Sequence, residues 1–180
     1  MSKLAQKQNK SKALSSLILG LFWFSFLPAC DEIETYSEIP QIEYIETTII
    51  DSTDALGNPK TFVKLLFTAI DGDGDMGLND FDTINPFTGM YEYNFFSTLF
   101  FVDSAGYDSA PVPAYNFRIP YIEFENHKAY KADITVEFQY FRDFLATDSI
   151  AYEFFIVDRT LNHSDTVLTP AISLNQTSTP

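Results

Sequence analysis

Tyr130-Lys-Ala-Asp-Ile-Thr-Val-Glu-Phe-Gln-Tyr-Phe141 alternates residue by residue. Ile134, Val136, Phe138 and Tyr140 point one way, and Asp133, Thr135, Glu137 and Gln139 point the other. A period of two belongs to an extended chain, whose successive side chains leave opposite faces, so this stretch predicts a strand with one face buried. Thr61 to Ile70 repeats the pattern: Val63, Leu65, Phe67 and Ala69 make an apolar face, while Phe62, Lys64, Leu66 and Thr68 make a mixed one.

Outward from these two, further strands are expected at Ile42 to Ile50, at Tyr93 to Asp103 and at Ser149 to Val157, the last buried on both faces. Tyr115 to Phe124 reads as extended but carries Pro120, which lacks an N–H and belongs at an edge. A final strand, Thr166 to Leu168 and Ala171 to Leu174, is broken by Pro170. Turn clusters separate them: Asp54 to Pro59, Ser104 to Ala114, and Asp158 to Asp165. Residues 79–92 read as a long irregular loop. No helix-period stretch competes after residue 30. About seven strands at this spacing predict an all-β, immunoglobulin-like antiparallel β-sandwich over residues 42–180, with a barrel as the nearest rival.

The first 29 residues are different in kind. Lys3, Lys7, Lys10 and Lys12 precede an apolar run from Leu14 to Leu27, the layout of a secretory signal. The run falls short of the ~20 apolar residues that span a bilayer. It ends Leu27-Pro28-Ala29-Cys30, and Cys30 is the only cysteine. This junction resembles the lipobox of bacterial lipoproteins. The resemblance implies cleavage before Cys30 and attachment of acyl chains to it, and two or more chains make a stable anchor where one does not. With one cysteine there is no disulfide and no Cys-ligated metal.

The leader holds four of the eleven Lys+Arg and none of the 25 acids, so the mature chain keeps seven basic residues and a formal charge of −18. That charge excludes nucleic acid as a partner and opposes contact with an anionic bilayer. Residues 30–41 are acidic and aperiodic and read as a tether. Asp31 and Glu32, directly after the cysteine, resemble the surface-export signal of Bacteroidota lipoproteins.

Asp71-Gly-Asp-Gly-Asp-Met-Gly-Leu78 stands apart. Glycines let the backbone fold tightly enough for Asp71, Asp73 and Asp75 to turn toward one point. Ca²⁺ takes six to eight oxygens, and Asp at i, i+2 and i+4 supplies them in calcium loops. The stretch resembles the start of an EF-hand calcium loop, with Asp82 at the twelfth position. Met76 in place of glycine, Asp82 in place of Glu and a strand in front exclude an EF-hand proper. Two readings stand: a cation-binding loop or a solvated Asp/Gly turn. In immunoglobulin order the loop after the second strand and the loop before the last share an end. Asp158, with Asn162 and Asp165, is then expected to approach Asp71–Asp75.

A lipoprotein leader, a strand running into this acidic loop and a late strand running into Asp158-Arg-Thr-Leu-Asn-His-Ser164 resemble a group of Bacteroidota lipoproteins. The resemblance implies an outer-membrane location, on the periplasmic or the cell-surface face. It implies no activity.

Catalytic motifs are missing. There is no Gly-x-Ser-x-Gly elbow, no His-Glu-x-x-His and no phosphate-cradling glycine loop. His127 and His163 both fall in loops. The expectation is a binding or scaffolding lipoprotein and not an enzyme, anchored in the membrane by lipid, with an envelope protein or a glycan as partner and Ca²⁺ as candidate cofactor. The alternative is a carbohydrate-capturing accessory lipoprotein of a surface uptake system, for which Tyr91, Tyr93, Tyr107 and Tyr115 at loops and strand ends would form the sugar platform. A small hydrolase working from the acidic pole would need a pocket with two carboxylates and a histidine.

Overall fold

A computed structural model of the chain describes residues 36–110, 115–122, 129–141, 144–145 and 147–174. Cys30, the leader and His127 lie outside the described residues. The strands are β1 (Gln41–Thr53), β2 (Pro59–Asp71), β3 (Phe95–Asp103), β4 (Gly106–Ser109), β5 (Tyr130–Phe141), β6 (Ser149–Ile156), β7 (Val167–Leu168) and β8 (Ile172–Ser173). One sheet has the order β1-β2-β5. The other runs β4-β3-β6-β7, with β8 also pairing β6. All these pairings are antiparallel. The protein is an immunoglobulin-like sandwich and not a barrel. β7 and β8 are the two halves of the expected last strand, interrupted around Pro170.

The sequence periods become faces directly. Val63, Leu65, Phe67 and Ala69 of β2 have no exposed surface. Their partners across the ladder, Phe138, Val136, Ile134 and Ala132, carry the same inward phase on β5. The outer faces pair polar groups instead: Lys64 meets Glu137 at 3.3 Å, and the Thr68 hydroxyl donates to Asp133 at 2.7 Å. β1 alternates less cleanly because the ladder slips between Tyr44 and Glu46. The extra residue, Ile45, is exposed. Ile42 and Tyr44 before the bulge and Ile49 after it therefore face the same core, although their numbering changes from even to odd.

Three departures from expectation have local causes. Gly106–Ser109, read as turn, pairs with β3 to make a short hairpin. The segment 115–122 makes only isolated bridges, Phe117 with Phe95 and Pro120 with Leu78, as a proline without an N–H dictates. Residues 36–41 belong to the sandwich rather than to a free tether. Gly72 N–H donates to the Ser37 carbonyl at 2.7 Å, and Gln41 already pairs with Ile70. A Cβ at position 72 would overlap the carbonyls of Tyr36 and Ser37, so glycine is required there.

Aromatic rings join the sheets. Phe67 lies 5.7 Å from Phe95 and 5.1 Å from Phe154, and Phe138 stacks on Tyr152 at 4.4 Å. Phe67 and Phe138 come from one sheet; Phe95, Tyr152 and Phe154 come from the other. Between the sheets the hydroxyls of Tyr140 and Tyr152, both buried, sit 2.8 Å apart. Burial pushes both phenols above their ordinary range, so they are neutral and exchange a hydrogen bond. Tyr152→Phe should cost about 1–3 kcal/mol, because it strands the Tyr140 hydroxyl in the core. The double change to Phe at 140 and 152 should recover most of that loss, which a double-mutant cycle in urea measures.

Candidate metal centre

The inward phase of β2 does not stop at Ala69. The next inward position is Asp71, which has 0% exposure. In β6 the inward residues Ile150, Tyr152, Phe154 and Ile156 lead in the same way to Asp158, 2% exposed. The two strands lie in opposite sheets, so each delivers a carboxylate to the same end of the interior. Asp75 joins them from the β2–β3 loop, and one carboxylate oxygen from each of Asp71, Asp75 and Asp158 lies within 4.8 Å of the others. Oxygens bound to one cation at ~2.3–2.6 Å stand no more than ~4.6–5.2 Å apart, so this spacing fits a single Ca²⁺.

The three carboxylates are not equally committed. Asp158 staples its own loop: its Oδ1 accepts from Asn162 N–H at 2.7 Å and from the Thr160 hydroxyl at 3.1 Å, and its Oδ2 accepts from the Asn162 amide at 2.8 Å. The turn Asp54–Asn58 between β1 and β2 is built alike. There Asp54 accepts from Asn58 N–H at 2.9 Å and from the Asn58 amide at 2.9 Å. The fourth residue has positive φ in both, 83° at Gly57 and 68° at Leu161. Asp54 does this far from the acidic end, so the staple alone accounts for the loop contacts of Asp158. It does not account for Asp71.

Both oxygens of Asp71, and Oδ1 of Asp75, are buried without a hydrogen-bond partner. An ionised carboxylate buried unpaired is disfavoured by several kcal/mol. Burial first, then the charges of Asp73, Asp75 and Asp158, push the Asp71 carboxyl up to about 7. Burial, with Asp158 and Asp73 behind it, also raises Asp75, although the backbone amides of Arg159 and Thr160 oppose the rise. The site can take a proton, and its three carboxylates could hold a cation. Oxygen-only donors of full negative charge suit a hard cation such as Ca²⁺.

Asp73 and Asp82, the other two expected ligands, are placed differently. Asp73 is exposed at the rim, close enough to act on Asp71 but outside the buried trio. Asp82 is committed elsewhere. It takes a two-pronged ion pair from Arg159, with the second prong at 3.2 Å, and accepts from Asn79 N–H at 2.7 Å. These contacts hold the Asp82 carboxyl below its ordinary range. The EF-hand spacing fails because Met76 is fully buried in the core, which pulls the chain off a ligating path after Asp75. Asp165 is exposed and lies outside the trio.

Two further residues, not singled out in the sequence, hold this end together. The Arg159 guanidinium lies 5.2 Å from the ring centres of both Phe87 and Tyr121. Arg118 donates to the carbonyls of Glu92 at 2.8 Å and Asn79 at 2.7 Å, tying both ends of the long loop together. The available signal was their rarity: few basic residues serve this acidic chain, and Arg159 directly follows Asp158. His163 is exposed and stacks on Phe155 at 5.4 Å, a packing role. Tyr107 and Tyr115 are exposed, but Tyr107 leans on Phe100 and Tyr115 on Tyr140. Tyr91 and Tyr93 are half-buried.

Comparison with protein-family models, curated proteins and solved structures finds no match.

Asp71 titrates at 3.8 when unfolded and at about 7 in the fold, so between those values the folded chain holds a proton that the unfolded chain has lost. The Asp71 contribution to metal-free stability should therefore fall as pH rises from about 4 to about 7, and level off above. Asp71→Asn should remove that slope and stabilise the metal-free protein at pH 8 by roughly 1–3 kcal/mol. Urea midpoints of chelator-dialysed protein across this range read both effects.

Proposed function

We propose that this chain is a lipid-anchored cell-envelope protein, held in the outer membrane through Cys30, whose sandwich binds Ca²⁺ between its two sheets. It serves in binding or scaffolding and not in catalysis. The observation that carries the metal is Asp71: a carboxylate with no exposed surface and two unpartnered oxygens, facing two further carboxylates. A cation there joins β2 and the β2–β3 loop of one sheet to the loop after β6 of the other. It would lock the end of the sandwich where the tether arrives. What supports the anchor is the basic and apolar leader ending in Leu27-Pro28-Ala29-Cys30. What supports a role other than catalysis is the lack of a catalytic motif, together with an acidic trio that faces inward instead of lining a substrate cleft.

The metal is tested by thermal unfolding at pH 8 with Ca²⁺ or with chelator. At a hundredfold excess over Kd, binding adds ~2.7 kcal/mol, about 10 °C in Tm for a domain of this size. Asp71→Asn should lose the shift and Asp82→Ala should keep it. The Ca²⁺ shift should shrink at pH 5, where the proton competes for Asp71. An unchanged Tm in the parent protein at pH 8 rejects the metal. The anchor is tested separately: fatty-acid labelling should mark the mature protein, and Cys30→Ala should release it from membranes.

A further inference from the structure

The long β2–β3 loop carries three exposed large apolar side chains, Phe81, Ile84 and Met90, and two of them stand furthest into solvent. Phe81 is 91% exposed and Ile84 is 75% exposed. Their exposure is held in place by consecutive tight turns, Thr83 N–H to Phe81 carbonyl at 2.8 Å and Phe87 N–H to Ile84 carbonyl at 2.8 Å. The Arg118 clamp and the Asp82–Arg159 pair fix the base. The tip itself, Phe81-Asp-Thr-Ile-Asn-Pro-Phe-Thr-Gly-Met90, contains a single charged residue, Asp82, and Arg159 neutralises it. In so acidic a chain, an uncharged tip with outward Phe and Ile is suited to an apolar surface.

The chain entry says which surface is within reach. Ser37 packs on Gly72 and Gln41 pairs with Ile70, so the tether arrives at the same end of the sandwich as this loop. Five residues separate Cys30 from Tyr36, and the six Cα–Cα steps between them span at most about 20 Å. At the other end, the turn bearing Leu56 lies eleven residues along β2 from Ile70, roughly 35 Å away.

We infer that the Phe81–Ile84 tip docks into the interface of the bilayer in which Cys30 is anchored, so that the acidic end of the sandwich faces the membrane and the Leu56 turn faces away. This inference rests on the acylation of Cys30. The lipid it fits is zwitterionic, because the exposed Asp73 and Asp80 at the same end would be repelled by an anionic surface. The tether keeps the tip near the lipid, so a shallow contact by two side chains suffices.

Trp23 lies in the leader, so the mature chain contains no tryptophan and a single one reports cleanly. Phe81→Trp and Leu56→Trp, both at highly exposed positions, are prepared as full-length acylated protein. Each is placed in phosphatidylcholine–phosphatidylethanolamine vesicles, with and without brominated acyl chains. Position 81 should shift to the blue and be quenched by bromine, and position 56, 88% exposed in the parent, should do neither. Adding Ile84→Asp to Phe81→Trp should weaken the quenching without releasing the protein. Vesicle-bound protein with no quenching at 81, or equal quenching at 81 and 56, overturns the docking and leaves the anchor intact. A blue shift at 81 without bromine quenching means that protein covers the tip, and also overturns it. Intact mass reads the acyl chains independently. Their absence removes the anchor, and the docking with it.

Discussion

The alternation of side chains along β2 and β6 governs both the stability of this sandwich and its one unusual feature. Each strand sends every second residue into the space between the sheets. Val63, Leu65, Phe67 and Ala69 do so from one side, and Ile150, Tyr152, Phe154 and Ile156 from the other. The same phase that buries these side chains leaves Asp71 and Asp158 no outward option. The acidic centre is the continuation of the hydrophobic core by two more inward positions.

That continuity explains why the site is demanding. In the middle of the sandwich the sheets are joined by rings in contact, Phe67 with Phe154 and Phe138 with Tyr152. At the end they are joined by groups that repel one another unless something positive lies between them. The nearby guanidinium of Arg159 turns to Asp82 instead, with the rings of Phe87 and Tyr121 close by. Asp71 is therefore left without a cationic partner among the described residues, a place that a proton or the proposed metal ion would fill. Because Ser37 packs against Gly72, one residue along, whatever occupies Asp71 acts at the point where the chain enters the sandwich.

Much of the fold was legible because strand period is a local signal. β5 begins and ends where its alternation does, and β2 extends only slightly beyond the apolar run that marks it. β1 was less clear because a bulge at Ile45 shifts the phase partway along, and a bulge is fixed by the partner strand. The short β4 was hidden for the same reason: Gly106–Ser109 is a strand only because β3 lies beside it.

Of the candidate ligands, Asp71, Asp75 and Asp158 are brought together, and Asp73 and Asp82 are not. Sequence alone determined that the chain alternates as strands, that acids cluster after two of them, and that its leader differs from its body. These are properties of neighbours along the chain. Which acids share a site was decided only by tertiary structure. Whether a carboxylate meets an arginine, the solvent or two other carboxylates depends on distances across the sandwich, and residue spacing does not encode those distances.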